Sequence, residues 1–178
     1  MSLYAWVRRA VSKVTVAFDG TNLYENIYIY IHTVQIKDIP TSCLLGADNT
    51  PDSSSELIAN GETIYHRSKS SSNDADGLCV TKGVPSGTLS GTVVDNIQVH
   101  SETANALYFS YIEVKGYYVN KTADAASQGD IIYRFMLGKD ITSDFNAERN
   151  NHYKLTLKFK NNANDPDWHI VYEPESPE

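Results

Sequence analysis

The sequence is poor in the residues and patterns that mark several common protein classes. It has 178 residues but only two cysteines, which is too few for a disulfide-rich scaffold or a Cys/His metal motif. No apolar run approaches the roughly 20 residues of a membrane-spanning helix, and the N-terminus has no hydrophobic signal core. No stretch shows sustained 3.6-residue periodicity, so the sequence disfavours a helical fold.

Positive charge is also scarce. Fifteen Lys and Arg residues stand against 22 Asp and Glu residues, which gives a formal net charge of −7. Binding of nucleic acid through phosphate contacts needs a basic field, and this chain lacks one overall. The sequence therefore predicts no nucleic-acid partner.

The two cysteines, Cys43 and Cys79, leave two interpretations open. They can form a disulfide with each other, or each can be a small buried hydrophobic residue. The apolar neighbour Leu44 favours the second interpretation for Cys43. A chain of this size does not require a disulfide, so the fold does not depend on the answer.

The clearest pattern that is present is a strict alternation from Tyr153 to Lys160. Apolar side chains occupy every second position and polar ones the positions between, which is typical of a strand with one buried face. The predicted buried set is Tyr153, Leu155, Leu157 and Phe159, and the predicted exposed set is Lys154, Lys158 and Lys160. Because a shift of one residue would expose the whole apolar set, we expect the register of this strand to be tightly fixed.

Further strand patterns occur along the whole chain. They cover residues 12–18, 27–36, 62–65, 78–81, 88–94, 97–99, 107–119, 131–137 and 168–172. Asp19-Gly20 is predicted to end the first of these and Pro40 to stop the second. The second pattern changes face after His32, which predicts a bulge or a strand covered on both sides. About seven to nine short strands predict an all-β fold, namely an antiparallel β-sandwich of Greek-key or transthyretin-like type.

The domain organisation follows from where the patterns weaken. We expect residues 4–173 to form a single β-sandwich domain, with a candidate subdomain boundary in the polar stretch 68–88. Residues 174–178 are predicted to be a disordered tail. The abrupt start at Met1 and the Pro- and Glu-rich end predict a piece of a longer protein whose export signal lies outside it.

Motifs for catalysis, cofactors or metals are weak. The five histidines have no paired spacing that would hold zinc or serve a catalytic triad. Residues 72–77 resemble the opening of a calcium loop, but Ser72 replaces the first Asp and Gly83 replaces the bidentate Glu. The sequence thus predicts a non-enzyme with no catalytic residues, no cofactor and no metal.

Segments near the C-terminus resemble a known family. Residues 129–138 (GDIIYRFMLG) and 144–157 (DFNAERNNHYKLTL) resemble the strand, loop, Arg-Asn-x-x-Tyr, strand signature of Bacteroidales-type fimbrillins, the type V pilin subunits. The motif residues are Arg149, Asn150 and Tyr153. Residues 111–118 and 9–16 are similar to two other strands of that family. The family's aromatic strand and Glu-Asn turn are not evident between residues 88 and 107.

The resemblance implies a cell-surface fimbrial subunit or a fimbrillin-like adhesin. Such subunits are exported as outer-membrane lipoprotein precursors, trimmed by an Arg-specific protease, and polymerised when a strand of one subunit fills a groove in its neighbour. The implied partners are other fimbrial subunits by strand exchange, together with host or bacterial surface glycans or proteins. The implied location is extracellular, with no membrane span in this stretch.

The same resemblance makes Arg8 and Arg9 a candidate proteolytic processing site. Cleavage after Arg9 would release the preceding segment and leave strand edges for a neighbour. In the alternative interpretation, Trp6 and Val7 extend the first strand and the two arginines form a solvated bend.

A second function also remains open, a carbohydrate-binding accessory module of a secreted or surface glycan-processing system. Sandwiches often bind sugars with exposed aromatic side chains, although fold alone does not decide function. The candidate platforms are Tyr28 with Tyr30, and Tyr117 with Tyr118. In the alternative interpretation these tyrosines only pack the sheet, and just their hydroxyl groups contact water. Several exposed rings on one face would favour sugar binding, whereas an open groove bounded by unpaired strand edges would favour assembly.

Overall fold

A computed structural model describes residues 11–40, 57–66, 77–83, 85–94, 110–137, 151–163 and 167–174 of the chain. Within these ranges lie nine strands. They are β1 (Val11–Leu23), β2 (Ile27–Pro40), β3 (Leu57–His66), β4 (Leu78–Val80), β5 (Pro85–Val94), β6 (Tyr111–Asn120), β7 (Ser127–Met136), β8 (Asn151–Asn161) and β9 (Asp167–Pro174). The same ranges contain no helix that could cross a membrane. The predicted all-β fold is confirmed.

The strands form two sheets. The first sheet has the order β5-β1-β8-β9, and the second has the order β3-β2-β6-β7 with β4 also paired to β2. The described pairings are antiparallel, except that β1 and β8 run parallel at the centre of the first sheet. The predicted antiparallel sandwich is therefore confirmed, with one parallel pair that the sequence did not reveal. A parallel pair needs a long connection, and here the chain builds the second sheet between β1 and β8.

The alternating strand found in the sequence is β8, which lies between β1 and β9. Its apolar set is at most 1% exposed, and Lys158 is exposed, as predicted. Lys154 and Lys160 are half-buried rather than exposed. The difference arises because a central strand has neighbours on both sides, and these cover the aliphatic stem of a lysine.

The hydrophobic core lies between the two sheets. From β1, Val14, Val16 and Phe18 are buried beside β8, and the rings of Phe18 and Phe159 stack with centroids 6.4 Å apart. The second sheet faces them with buried side chains of β2, β6 and β7, which are Ile27, Ile29, Ile31, Val34, Ile36, Ile112, Val114 and Phe135. This two-layer arrangement leaves each sheet one outer face for other roles.

The predicted change of face in β2 is a β-bulge at His32. Adjacent residues of β6 pair with Ile31 and Thr33, so His32 is the additional residue of the bulge. Because of this insertion, Ile31 and Val34 both reach the core although they are three positions apart. The bulge therefore keeps one buried face from Ile27 to Ile36.

One strand end differs from the sequence-based expectation. Asp19-Gly20 does not end β1, which continues to Leu23 because β8 supplies a partner along this stretch. The turn expected there is replaced by a register shift between β1 and β8, where the backbone N–H of Thr21 donates to Asp19 Oδ1 at 2.9 Å. β2 ends at Pro40, as predicted, and its last residues pair with β3.

Several predicted features lie outside the described residues. These are the strand at 97–99, the calcium-like stretch before Gly77, and Cys43. Cys79 lies in β4 and is an exposed free thiol. Within the candidate boundary stretch 68–88, β4 pairs with β2 of the second sheet, and β5, which begins in this stretch, pairs with β1 of the first sheet.

Replacing Leu157 by Ala should test the assignment of the core. The side chain is fully buried at the centre of β8, so we expect the free energy of unfolding to fall by about 2–5 kcal/mol. Lys158→Ala, at the neighbouring exposed position, is the matched control and should change stability by less than about 0.5 kcal/mol. Urea denaturation of both variants measures the difference, and equal midpoints would contradict the buried face of β8.

Candidate functional site

β7 is the last strand of the second sheet and has one regular edge. It pairs with β6 over its full length without a bulge, and in the described part of the chain no strand pairs with its other edge. On its outer face Ile132 is 52% exposed. A long, regular edge with an exposed apolar side chain is the kind of surface that pairs with a strand of another chain.

Two of the other sheet edges, β3 and β5, are less regular than β7. β3 shows two register shifts against β2, and β5 shows one against β1. Such bulges twist an edge and make it a poorer template for pairing. β3 and β5 lie close together, which places β7 and β9 on the opposite side of the sandwich. β9 is also unbulged, so the two regular edges lie on one side.

Tyr133 connects β7 to the first sheet. Its ring meets that of Phe159 edge-on, with centroids 5.6 Å apart, and its hydroxyl donates to the carbonyl oxygen of Ala163 at 3.2 Å. Burial, and to a smaller extent the nearby Tyr118, raises the pKa of Tyr133 to about 12. The hydroxyl therefore remains a donor at neutral pH and holds β7 in place.

The outer face of the second sheet carries a group of tyrosines. Alternation along β2 and β6 leaves these side chains half-buried on the face opposite the core, and Tyr30 and Tyr117 lie directly across from each other. We call Tyr28, Tyr30, Tyr117 and Val119 the tyrosine face. Tyr118, the fourth tyrosine predicted for a platform, packs against the core instead.

Two side chains next to the tyrosine face, those of Lys121 and Cys79, contact its tyrosines. Lys121 Nζ lies 4.2 Å from the centroid of the Tyr28 ring, which is a cation–π contact. Cys79 lies opposite Tyr30 and its thiol is hydrogen-bonded to the Tyr30 hydroxyl. Burial raises the pKa of Tyr30 and that of the Cys79 thiol, so both groups are protonated and uncharged at neutral pH.

Along β6, the tyrosine face is followed by a buried carboxylate surrounded by cations. The Glu113 side chain is 6% exposed; its Oε2 accepts from Arg134 Nε at 3.0 Å, and its Oε1 lies 3.2 Å from Lys115 Nζ and 4.0 Å from Lys37 Nζ. Lys37 also donates to Asn60. We call Glu113, Lys37, Lys115 and Arg134 the Glu113 cluster.

The charges of the Glu113 cluster do not cancel. Burial by itself would raise the pKa of Glu113, but hydrogen bonds from Arg134 and Lys115 outweigh it and hold the pKa below its ordinary value. Three cations therefore surround one ionised carboxylate. Arg134 and Lys115 are 59% and 51% exposed, so both present positive charge to the solvent.

Residues 70–157, just under half of the chain, match the family described as "Domain of unknown function (DUF4906)". No curated protein matches the sequence. Among solved structures, the tip fimbrial protein Mfa3 from Porphyromonas gingivalis, with C-terminal truncation, aligns with 93% of this chain at 10% identity and a TM-score of 0.53. A candidate cell adhesion protein from Parabacteroides distasonis ATCC 8503 aligns with 96% at 13% identity and a TM-score of 0.55.

The fold is similar to that of the Mfa3 tip fimbrial protein. The resemblance to fimbrillins that the sequence suggested is thus confirmed at the level of the fold. The chain spans about half the length of these two proteins, because the alignments cover 51% and 54% of their chains. The shared fold extends over nearly all of this chain.

The predicted site residues are only partly described. Arg8, Arg9, Arg149 and Asn150 lie outside the described residues, and their roles stay predictions. Tyr153 is fully buried and pairs with β1 at Val14 and with β9, so its side chain packs in the core between the two sheets.

The sequence identified some of the outer-face residues but did not group them. The structure brings together three of the four platform tyrosines, and it places Arg134 at an exposed position of β7. Sequence reasoning missed Glu113, because only the pairing of β6 with β7 places Arg134 beside it. Within the described ranges, no three His, Cys, Asp or Glu side chains are grouped so that they could hold a metal ion.

The lowered pKa of Glu113 predicts a pH-dependent stability. The ionised carboxylate is stabilised in the folded state, so its contribution is present above the ordinary Glu pKa of about 4.3 and is lost as the pH falls through the lower folded-state pKa. We expect Glu113→Gln to lower the free energy of unfolding by about 1–2 kcal/mol at pH 7, where three cations lose their counter-charge.

The control for this prediction is Glu25→Gln, which removes a carboxylate 3.3 Å from Lys82 in an exposed pair. This change should have almost no effect on stability. Denaturant unfolding at pH 7 and near pH 3 measures both variants. A deficit of Glu113→Gln that is as large near pH 3 as at pH 7 would contradict the ionised state of Glu113.

Proposed function

We propose that the chain is a cell-surface fimbrial subunit or fimbrillin-like adhesin that assembles with other fimbrial subunits by β-strand addition. The fold supports a fimbrial role, since nearly the whole of this chain aligns with about half of a tip fimbrial protein and of a candidate cell adhesion protein. In strand addition, main-chain hydrogen bonds provide affinity and alternate side chains provide specificity. The receiving subunit must therefore offer a strand edge that is long, regular and accessible.

The regular edge of β7 is the observation that carries this proposal. Ten residues pair with β6 in unbroken register, which keeps the N–H and C=O groups of the opposite edge evenly spaced. Tyr133 anchors β7 to the first sheet, so an incoming strand would meet an ordered edge. Ile132 would lie at the border of that contact and would lose solvent exposure.

The remaining parts of the proposal come from the fimbrillin resemblance. We infer export as an outer-membrane lipoprotein precursor, an extracellular location on the fimbria, and activation by cleavage after Arg9. We infer no enzymatic activity, in keeping with the fimbrial and adhesion proteins that share the fold. Carbohydrate binding is compatible with this role, because it would use the outer face of the second sheet and leave the edge of β7 for assembly.

Replacing Ile132 by Lys tests the use of the β7 edge. A lysine on an edge strand opposes pairing of that strand with another chain. We therefore expect incorporation into fimbriae to fall at least tenfold. Tyr24→Lys is the matched control, because Tyr24 is exposed to a similar degree, 55%, but lies in the β1–β2 turn. Quantitative immunoblotting of fimbriae from cells that produce each variant measures the effect.

Equal incorporation of the two variants would show that β7 does not take part in assembly. Absence of the parent protein, without any substitution, from purified fimbriae would overturn the fimbrial role itself. Thermal melting of both variants separates a folding defect from an assembly defect.

The Arg8-Arg9 segment gives a second test of activation. We expect an Arg-specific protease to cut the folded chain after Arg9 and to convert a monomer into species of higher mass. The variant Arg8→Gln/Arg9→Gln should remain uncut at this site and monomeric. Size-exclusion chromatography with light scattering measures the change, and cut protein that stays monomeric would contradict the activation model.

A further inference from the structure

We propose that the outer face of the second sheet binds an anionic glycan, which would stack on the tyrosine face and pair its acidic groups with Arg134 and Lys115. This inference rests on the proposed adhesive role for its biological purpose, but the binding itself does not require assembly. The occupant is an oligosaccharide that carries carboxylate or sulfate groups. The argument depends on the apolar surface, on the charge beside it, and on how that charge is held.

The apolar part of the surface is continuous. Tyr30 lies directly opposite Tyr117. Tyr28 lies directly opposite Val119, which is the next pair on the same face of these two strands. All four side chains are half-buried rather than exposed, and Lys121 Nζ lies over the ring of Tyr28, so only part of the surface remains accessible. A tyrosine presents both an apolar ring face and a polar hydroxyl, which matches the apolar and hydroxyl-bearing sides of a sugar ring.

The charge of this face is opposite to that of the whole chain. The formal net charge of the protein is −7, yet the charged side chains around the tyrosine face include Lys37, Lys115, Lys121 and Arg134. Among the described residues, the carboxylates beside them are Glu113, Asp130 and Asp38, the last of which lies near Tyr111, so four cations stand against three anions and the local sum is +1. This local excess attracts an anionic ligand and disfavours an equally acidic protein surface.

Glu113 holds Arg134 and Lys115 in position, and both cations keep N–H groups that are not hydrogen-bonded to Glu113. Arg134 gives one N–H group, on Nε, to Glu113, and a guanidinium has four more. Lys115 contacts Glu113 through an ammonium group that has three donors. Both side chains are more than half exposed, so the remaining donors can reach a bound carboxylate or sulfate. Glu113 is thus a positioning residue that fixes two cations beside the tyrosines.

The spacing of the cations indicates an extended ligand. Lys121 lies at one end of the tyrosine face and Lys115 at the other, six residues apart along the chain. At the rise of an extended strand this corresponds to roughly 20 Å, too far for one small anion to bridge. A linear oligosaccharide with acidic groups along its length fits this separation.

Calorimetric titration of the uncut monomer with oligogalacturonate tests the proposal, and methyl-esterified oligogalacturonate serves as the uncharged probe. We expect the acidic oligosaccharide to bind at least tenfold more tightly than the ester, with an affinity that falls as salt is added. Arg134→Gln and Tyr117→Ala should each weaken binding at least fivefold. Tyr117→Phe, which keeps the ring, should stay within about threefold of the parent.

The matched control is Lys158→Gln, which removes one exposed cation from the outer face of the first sheet. This variant should bind like the parent, and thermal melting should show that all variants are folded. Equal losses for Lys158→Gln and Arg134→Gln would overturn the proposal, because binding would then follow net charge only. So would an unchanged affinity in Tyr117→Ala, equally tight binding of polyglutamate, or no binding of the acidic oligosaccharide at millimolar concentration. None of these outcomes bears on incorporation of Ile132→Lys into fimbriae, so this proposal and the proposed assembly can fail separately.

Discussion

The burial of one face of β8 is the constraint on which the rest of the structure depends. Its four large apolar side chains reach the core only in one register, and β1 and β9 are aligned to it on either side. The second sheet must then present an apolar face to the same layer. It does so through β2, β6 and β7, and the bulge at His32 keeps that face continuous where strict alternation would have turned it outward.

Once the core is closed, the second sheet has an outer face and an edge that the fold does not need. The outer face holds tyrosines and a carboxylate that gathers three cations, while the edge of β7 retains an exposed isoleucine. Buried charge is costly unless it is paired, and Glu113 meets this condition with Arg134 and Lys115. The polar network therefore stabilises the sheet while it keeps positive charge at the surface.

An edge strand can pair with a strand of another chain, and the described edge strands differ in how regular they are. β3 and β5 are interrupted by register shifts, whereas β7 runs without interruption. A regular edge without register shifts is a disadvantage in a protein that acts alone and an advantage in one that polymerises. The likeness of the fold to that of a tip fimbrial protein and the regularity of β7 are thus mutually consistent.

The sequence by itself determined the strands whose side chains alternate between water and core, because that period follows from the local geometry of one strand. It therefore predicted the buried set of β8 and a bulge as one explanation for the change of face in β2. It did not predict the parallel pairing of β1 with β8, the continuation of β1 past Asp19, or the meeting of Glu113 with Arg134. These features arise from pairings between strands distant in the chain. Only the tertiary structure decides them, because no local pattern records which strands become neighbours or in what register.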